Sequence, residues 1–123
     1  MNKASLVIAG FSLFAAHAAR AQDVAKVASD THKVIAENDR ARVLDVLLKQ
    51  GAKSPMHSHP PNIIYVLTDG KLRFTLPDGK TVERVFKPAE VVMNDAQTHS
   101  AENIGTTDLH AIQIELKEPA GKK

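Results

Sequence analysis

From Thr31 onward the chain alternates short runs rich in Val, Ile, Leu, Phe and Thr with Gly, Pro, Asn and Asp at short intervals. That rhythm predicts strands rather than helices. They are placed near 32–37, 41–49, 56–59, 62–68, 71–76, 80–86, 90–93, 98–103 and 108–117. Asp69-Gly70 and Pro77-Asp78-Gly79 read as tight hairpin turns, Asn38-Asp39 and Gly105 as further turns, and Lys87-Pro88-Ala89-Glu90 as another. Period-two alternation assigns inward faces to Leu44, Val46 and Leu48, to Leu72, Phe74 and Leu76, and to His110, Ile112, Ile114 and Leu116. Many short antiparallel strands must close or sandwich to remove their edges, so the expected architecture is an all-β, single-domain jelly-roll barrel. No internal repeat is visible, which points to one barrel rather than two.

The first residues follow another logic. Lys3 gives a positive start, Leu6 to Ala16 form an apolar run, and Ala19-Arg20-Ala21 puts small residues at the two positions a signal peptidase inspects. Residues 1–21 are therefore expected to be a signal peptide, and the run is too short for a membrane anchor. The expected divisions are 1–21 signal peptide, 22–30 N-terminal arm, 31–119 barrel and 120–123 C-terminal tail. The expected location is periplasmic or secreted, with no membrane attachment after cleavage.

Removing 1–21 takes away Lys3 and Arg20, and the net charge of +2 falls to zero. No basic patch with interleaved aromatics remains, so nucleic acid is not an expected partner. Cysteine is absent, which excludes disulfides and thiol chemistry by the protein itself. No phosphate loop, nucleophile elbow or dinucleotide fingerprint is present.

The densest chemistry lies at His57-Ser58-His59. Residues i and i+2 of a strand share a face roughly 6.6 Å apart, close enough for two imidazoles to converge on one metal ion at about 2.0–2.2 Å. Pro60-Pro61 follows directly and restricts the backbone where that strand must bend. Gly51 and Gly70 bracket the pair, and His99 with Asn103 follows on a later strand.

This spacing resembles the two motifs of the cupin superfamily. Gly51, His57, His59 and Gly70 match the first motif, with Ile63 at the position of its glutamate. His99 and Asn103 match the second, in which Asn94 and Ala96 replace a proline and a glycine. The motifs span about half of the mature chain. The resemblance implies a cupin-type jelly roll in which His57, His59 and His99 bind one divalent metal (Fe, Mn, Zn, Cu or Ni), a three-histidine variant without the motif glutamate. Imidazole ligands alone do not choose among these ions.

Further candidates follow from parity. Tyr65 and Ile63 share the strand parity of the histidine pair, so the Tyr65 phenol is a candidate for acid–base chemistry. His110, on the apolar face of the last strand, is a candidate fourth ligand, proton shuttle or partner of a ligand. Ile63, Met93 and Gln97 are expected to line the pocket. Asn103 is assigned to fixing a turn, Glu102 faces away by parity, Asp95 lies in a loop, His32 lies outside both motifs, and His17 leaves with the signal peptide. The expected partners are a small organic ligand or substrate and a second copy of the chain. The expected function is an exported metal-binding cupin of oxygenase, isomerase or lyase type, with a non-catalytic periplasmic binder of metal or small ligand as the alternative.

Overall fold

The computed structural model describes residues 22–118. The proposed signal peptide and the whole of the proposed tail lie outside them. After a single helical turn, α1 (Val24–Val27), come nine strands: β1 (His32–Glu37), β2 (Ala41–Leu48), β3 (Lys53–His59), β4 (Asn62–Val66), β5 (Gly70–Thr75), β6 (Thr81–Phe86), β7 (Val91–Asn94), β8 (Gln97–Asn103) and β9 (Leu109–Leu116). The strand pattern read from the sequence is therefore present throughout. The strands form two antiparallel sheets, of order β1-β2-β9-β4-β7 and β3-β8-β5-β6. The arrangement is a jelly roll of two facing sheets, not the closed barrel expected.

The core between the sheets is Leu48, Val66, Leu72, Phe86, Val92, Ala101 and Leu109. The N-terminal arm closes the histidine end. Asp23 caps α1 by accepting from the Ala25 N–H at 2.9 Å, the Ser58 N–H donates to the Gln22 carbonyl at 2.7 Å, and Val24 and Ala28 pack on Leu44.

Two faces come out reversed. In β9 the inward row is Leu109, Ala111, Gln113 and Glu115, so His110, Ile112, Ile114 and Leu116 face outward. The sequence placed the larger apolar residues inside, but the inward polar side chains find partners there. Gln113 donates to Asn62 at 3.0 Å, and Glu115 is held by His59 and Arg42. In β4 the inward residues are Asn62, Ile64 and Val66. Pro60-Pro61 separates β3 from β4, so parity counted from His57 and His59 does not carry across to Ile63 and Tyr65.

The turns divide in the same way. Pro77-Asp78-Gly79 closes a true hairpin, with Thr75 opposite Thr81 and Gly79 at φ +92°. Asp69-Gly70 instead carries the chain from one sheet to the other, since β4 pairs with β7 and β9 while β5 pairs with β6 and β8. Gly70 is needed there for close approach, because a Cβ would meet Leu109 Cδ1 at 2.6 Å and Leu109 Cβ at 3.2 Å. Asn103 fixes the turn before β9: its amide donates to the Leu48 and Thr107 carbonyls at 2.8 and 2.9 Å, and its oxygen accepts from the Gly105 N–H at 2.9 Å.

Overpacking of this kind destabilises by about 1–3 kcal/mol. Gly70→Ala is expected to lower stability by that amount in urea denaturation, with the slope unchanged. A variant as stable as the wild type would show that Leu109 has room to move.

Candidate metal centre

Four imidazoles meet at one end of the space between the sheets. His57 and His59 project inward from β3, with ring centroids 4.7 Å apart. His99 on β8 sits directly opposite His57 in register, its ring 5.0 Å from that of His57 and 5.5 Å from that of His59. Phe74 packs against the His99 ring at 4.7 Å. The fourth is His32, 5.4 Å from His57 and 5.8 Å from His59. All four are buried.

The expectation that His32 lies outside the site, which rested on its falling outside both motifs, is thereby corrected, and one residue sets its facing. Counted back from Glu37 opposite Arg42 without interruption, His32 would face outward. A bulge at Ile35 shifts the β1–β2 register between Val34 and Ala36, and His32 lands opposite Val46, whose side chain lines the cavity. One ring nitrogen from each of His32, His57 and His59 lies within 4.8 Å of the others.

The hydrogen bonds of these three rings fix which nitrogen is offered. His57 Nδ1 lies 2.8 Å from the Pro55 carbonyl, which can only accept. His59 Nδ1 lies 2.8 Å from the Glu115 carboxylate, also an acceptor. His32 Nδ1 lies 2.8 Å from Thr31 Oγ1, and that hydroxyl gives its own proton to the Ala28 carbonyl at 3.2 Å. Each Nδ1 therefore carries the proton and donates, so each Nε2 keeps its lone pair. A ligand set with every Nδ1 anchored and every Nε2 open fits a metal ion.

Burial keeps His32, His57 and His99 neutral. It is the main cause lowering His32 to about 3, with His57, His59 and His99 adding to it. Burial likewise takes His99 to about 3, followed by repulsion from His57 and His59. His57 falls to about 4 through burial and then His59, against an opposing contribution from the Pro55 carbonyl.

Behind His59 stands a charged relay that the sequence reading missed. Glu115, only 2% exposed, bonds His59 through one oxygen, while the other accepts from Arg42 Nε at 2.9 Å and Nη2 at 2.6 Å. Arg42 in turn forks onto Asp23 at 2.8 and 3.2 Å. Its hydrogen bond to Asp23 and then that to Glu115 hold the guanidinium protonated against burial. Asp23 is lowered in turn, chiefly by the same hydrogen bond. These groups line a cleft on the far side of His59 from the main cavity.

The main cavity has a volume of about 280 Å³. Gln97 lines it, and so do Ile64, Asn94 and Gln113. Ile63 does not line it; its neighbour Ile64 is the aliphatic residue turned toward the histidines' space. Three further expectations are corrected. Tyr65 is 43% exposed on the outer face of β4, and Met93 is 75% exposed on edge strand β7. His110 is half-buried on the outer face of β9, where its Nε2 meets Asp45 at 2.8 Å. Glu102 pairs with Arg73 on the outside at 3.7 Å, and Asp95 is exposed.

A scan of protein-family profiles finds no match, and no curated protein is similar enough to count as a relative. Solved structures do resemble the chain. A cupin domain from Bordetella pertussis Tohama I aligns with TM-score 0.65 and 21% identity over 71% of this chain and 92% of its own. An RmlC-like cupin family protein of double-stranded β-helix fold from Methanocaldococcus jannaschii gives TM-score 0.57 at 15% identity, covering 72% and 81%. A conserved protein with a double-stranded β-helix domain from Klebsiella pneumoniae gives 0.57 at 19%, covering 73% and 74%. At these identities the likeness speaks to the fold. Together with the two-sheet topology and the inward histidines at the motif positions, it establishes that this chain has the cupin fold, with a histidine cluster positioned to bind a metal.

Proposed function

We propose that this protein is an exported cupin that holds one divalent metal ion and acts through it on a small organic molecule. The observation that carries this reading is the orientation of three buried rings whose Nδ1 atoms are all engaged as donors while their Nε2 atoms are free. His57 and His59 form the centre of the ligand set. His99 joins them by its place in the motif and opposite His57, and His32 by its proximity. No carboxylate enters the set, because Glu115 faces His59 from behind and the motif glutamate is replaced by an aliphatic residue. A bound ion surrounded by neutral imidazoles keeps its full charge and supplies Lewis acidity.

The chain's own residues would do the remaining work. Glu115 fixes the orientation and tautomer of the His59 ring, and the apolar walls exclude water from a compact ligand. A second reading, a non-catalytic holder of metal or small ligand, is favoured by one fact. Tyr65 and His110, the two side chains considered for acid–base chemistry, both face outward. Water-proton relaxation of the Mn²⁺-loaded protein separates the readings: an enzyme needs an exchangeable water on the ion, and a saturated holder shows none.

Export and pairing of two copies belong to the same proposal. Export predicts a periplasmic protein whose first residue is Gln22 by mass spectrometry, and retention of residues 1–21 would contradict it. Pairing is supported by the exposed apolar residues Tyr65, Val91 and Met93 on neighbouring strands β4 and β7. Sedimentation velocity is expected to show a dimer that Met93→Lys converts to monomer; a monomeric wild type would contradict this.

In competition titrations with Zn²⁺ and a chelator, the wild type is expected to bind one ion per chain. His57→Ala should weaken binding more than 100-fold, and Glu115→Gln, which keeps the shape and removes the charge, about 10–100-fold. A wild type that takes up no stoichiometric divalent metal would refute the proposal.

Protons compete for the same nitrogens. His32, His57 and His99 have folded values of about 3, 4 and 3 against about 6.5 in the unfolded chain. Their pKa values are depressed on folding, so the unfolded state binds more protons between those limits and stability rises with pH there. Denaturation midpoints of the metal-free protein are expected to level off above about pH 6.5 and to fall steadily from there toward about pH 4. His32→Asn should make that fall shallower, and an unchanged fall would show that the cluster does not control it.

A further inference from the structure

The polar groups of the main cavity are segregated. At the histidine end stands a set of amides: Asn62 donates to Gln97 Oε1 at 3.2 Å, and its oxygen accepts from Asn94 at 3.1 Å and from Gln113 at 3.0 Å. Gln113 is 3% exposed and lines the cavity. Its nitrogen is committed to Asn62, whereas its oxygen has no partner among the described residues. Since no enclosed side-chain oxygen lacks a partner, that oxygen opens onto the cavity. It is an acceptor on an otherwise buried residue, turned to the cavity where a ligand would lie.

Between the ends the walls are apolar, including Val46, Leu48, Val66, Leu72 and Phe74. The far end holds Arg84, among the described residues the one lining residue besides the histidines that carries an ionisable group. It occupies the inward row Val82, Arg84, Phe86 of β6. In register Arg84 lies opposite Leu72, which lies opposite Asn103, so Arg84 is two strands from β8 and four residues along from His99. At about 3.4 Å per residue and about 4.8 Å per strand, the two backbones are on the order of 16 Å apart. The guanidinium lies 5.2 Å over the Phe86 ring and pairs with Glu90 at 3.1 Å, both of its groups being partly open to solvent. Such a pair is exchangeable, because exposed ion pairs contribute little net stability.

We propose that the cavity takes a compact, largely apolar carboxylic acid that carries a hydroxyl at its other end. The carboxylate replaces Glu90 on Arg84, the apolar body fills the middle, and the hydroxyl donates to Gln113 beside the histidines. This deepens the reading of the site as one that acts on a small organic molecule, and it rests on that reading for the chemistry, but neither Arg84 nor Gln113 is a metal ligand. Carboxylate recognition therefore survives loss of the ion.

The test uses 3-(4-hydroxyphenyl)propionate, its neutral amide and 3-phenylpropionate, titrated calorimetrically into metal-free and Zn²⁺-loaded protein. The hydroxy acid is expected to bind both forms at least 10-fold more tightly than the amide or the deoxy acid. Arg84→Gln removes the preference over the amide, and Gln113→Leu removes the preference over the deoxy acid. Glu90→Gln, which frees Arg84, strengthens binding of both acids several-fold and leaves the amide unchanged. Equal binding of acid and amide, an Arg84→Gln variant that keeps the preference, or no binding of any probe overturns the assignment. Failure of the metal proposal reads differently: there Zn²⁺ does not bind, while the acid preference persists in the metal-free protein.

Discussion

Placing His32, His57 and His99 against one another and against His59 inside a largely apolar space is tolerable only while those three are uncharged, and much of the surrounding structure serves that condition. Burial lowers the proton affinity of His32, His57 and His99, and their mutual repulsion lowers it further. Neutral imidazole still needs a donor satisfied at one nitrogen. Pro55, Glu115 and Thr31 meet that need, and each acceptor comes from a different kind of structure: a strand carbonyl, a buried carboxylate, and a hydroxyl in the turn before β1. The outcome is a set of lone pairs turned to a common space.

The cost of burying Glu115 is met by Arg42, and Arg42 reaches Asp23 at the start of α1. One line of charge thus runs from the N-terminal arm through two strands of the larger sheet to the histidine pair. The arm is tied to the ligand strand a second time, by the backbone bond between Ser58 and Gln22. Arm, relay and histidines are mechanically one unit, which explains how a domain this small keeps such a polar cluster ordered without a disulfide.

Strand positions and the His57, His59 and His99 cluster were legible because they depend on composition and on period-two spacing. What was not legible depends on single residues that change parity. The extra residue at Ile35 turns His32 inward, and Pro60-Pro61 resets the count before β4, so Tyr65 and Ile63 leave the cavity. In β9 an apolar row at 110–116 looked like core, yet it is Gln113 and Glu115 that are buried, because partners distant in sequence, Asn62, His59 and Arg42, satisfy them. Alternation identifies two faces of a strand but cannot rank them when the inward face is polar and paired.

The most direct test of the account follows the histidine ring nitrogens themselves. Long-range ¹H–¹⁵N NMR of the metal-free protein should show His32, His57 and His59 protonated at Nδ1. Stoichiometric Zn²⁺ should then shift their Nε2 resonances while the Nδ1 protons stay in place. Rings protonated at Nε2, or Nε2 signals that do not respond to the ion, would contradict the claim that this cluster is built to hold a metal.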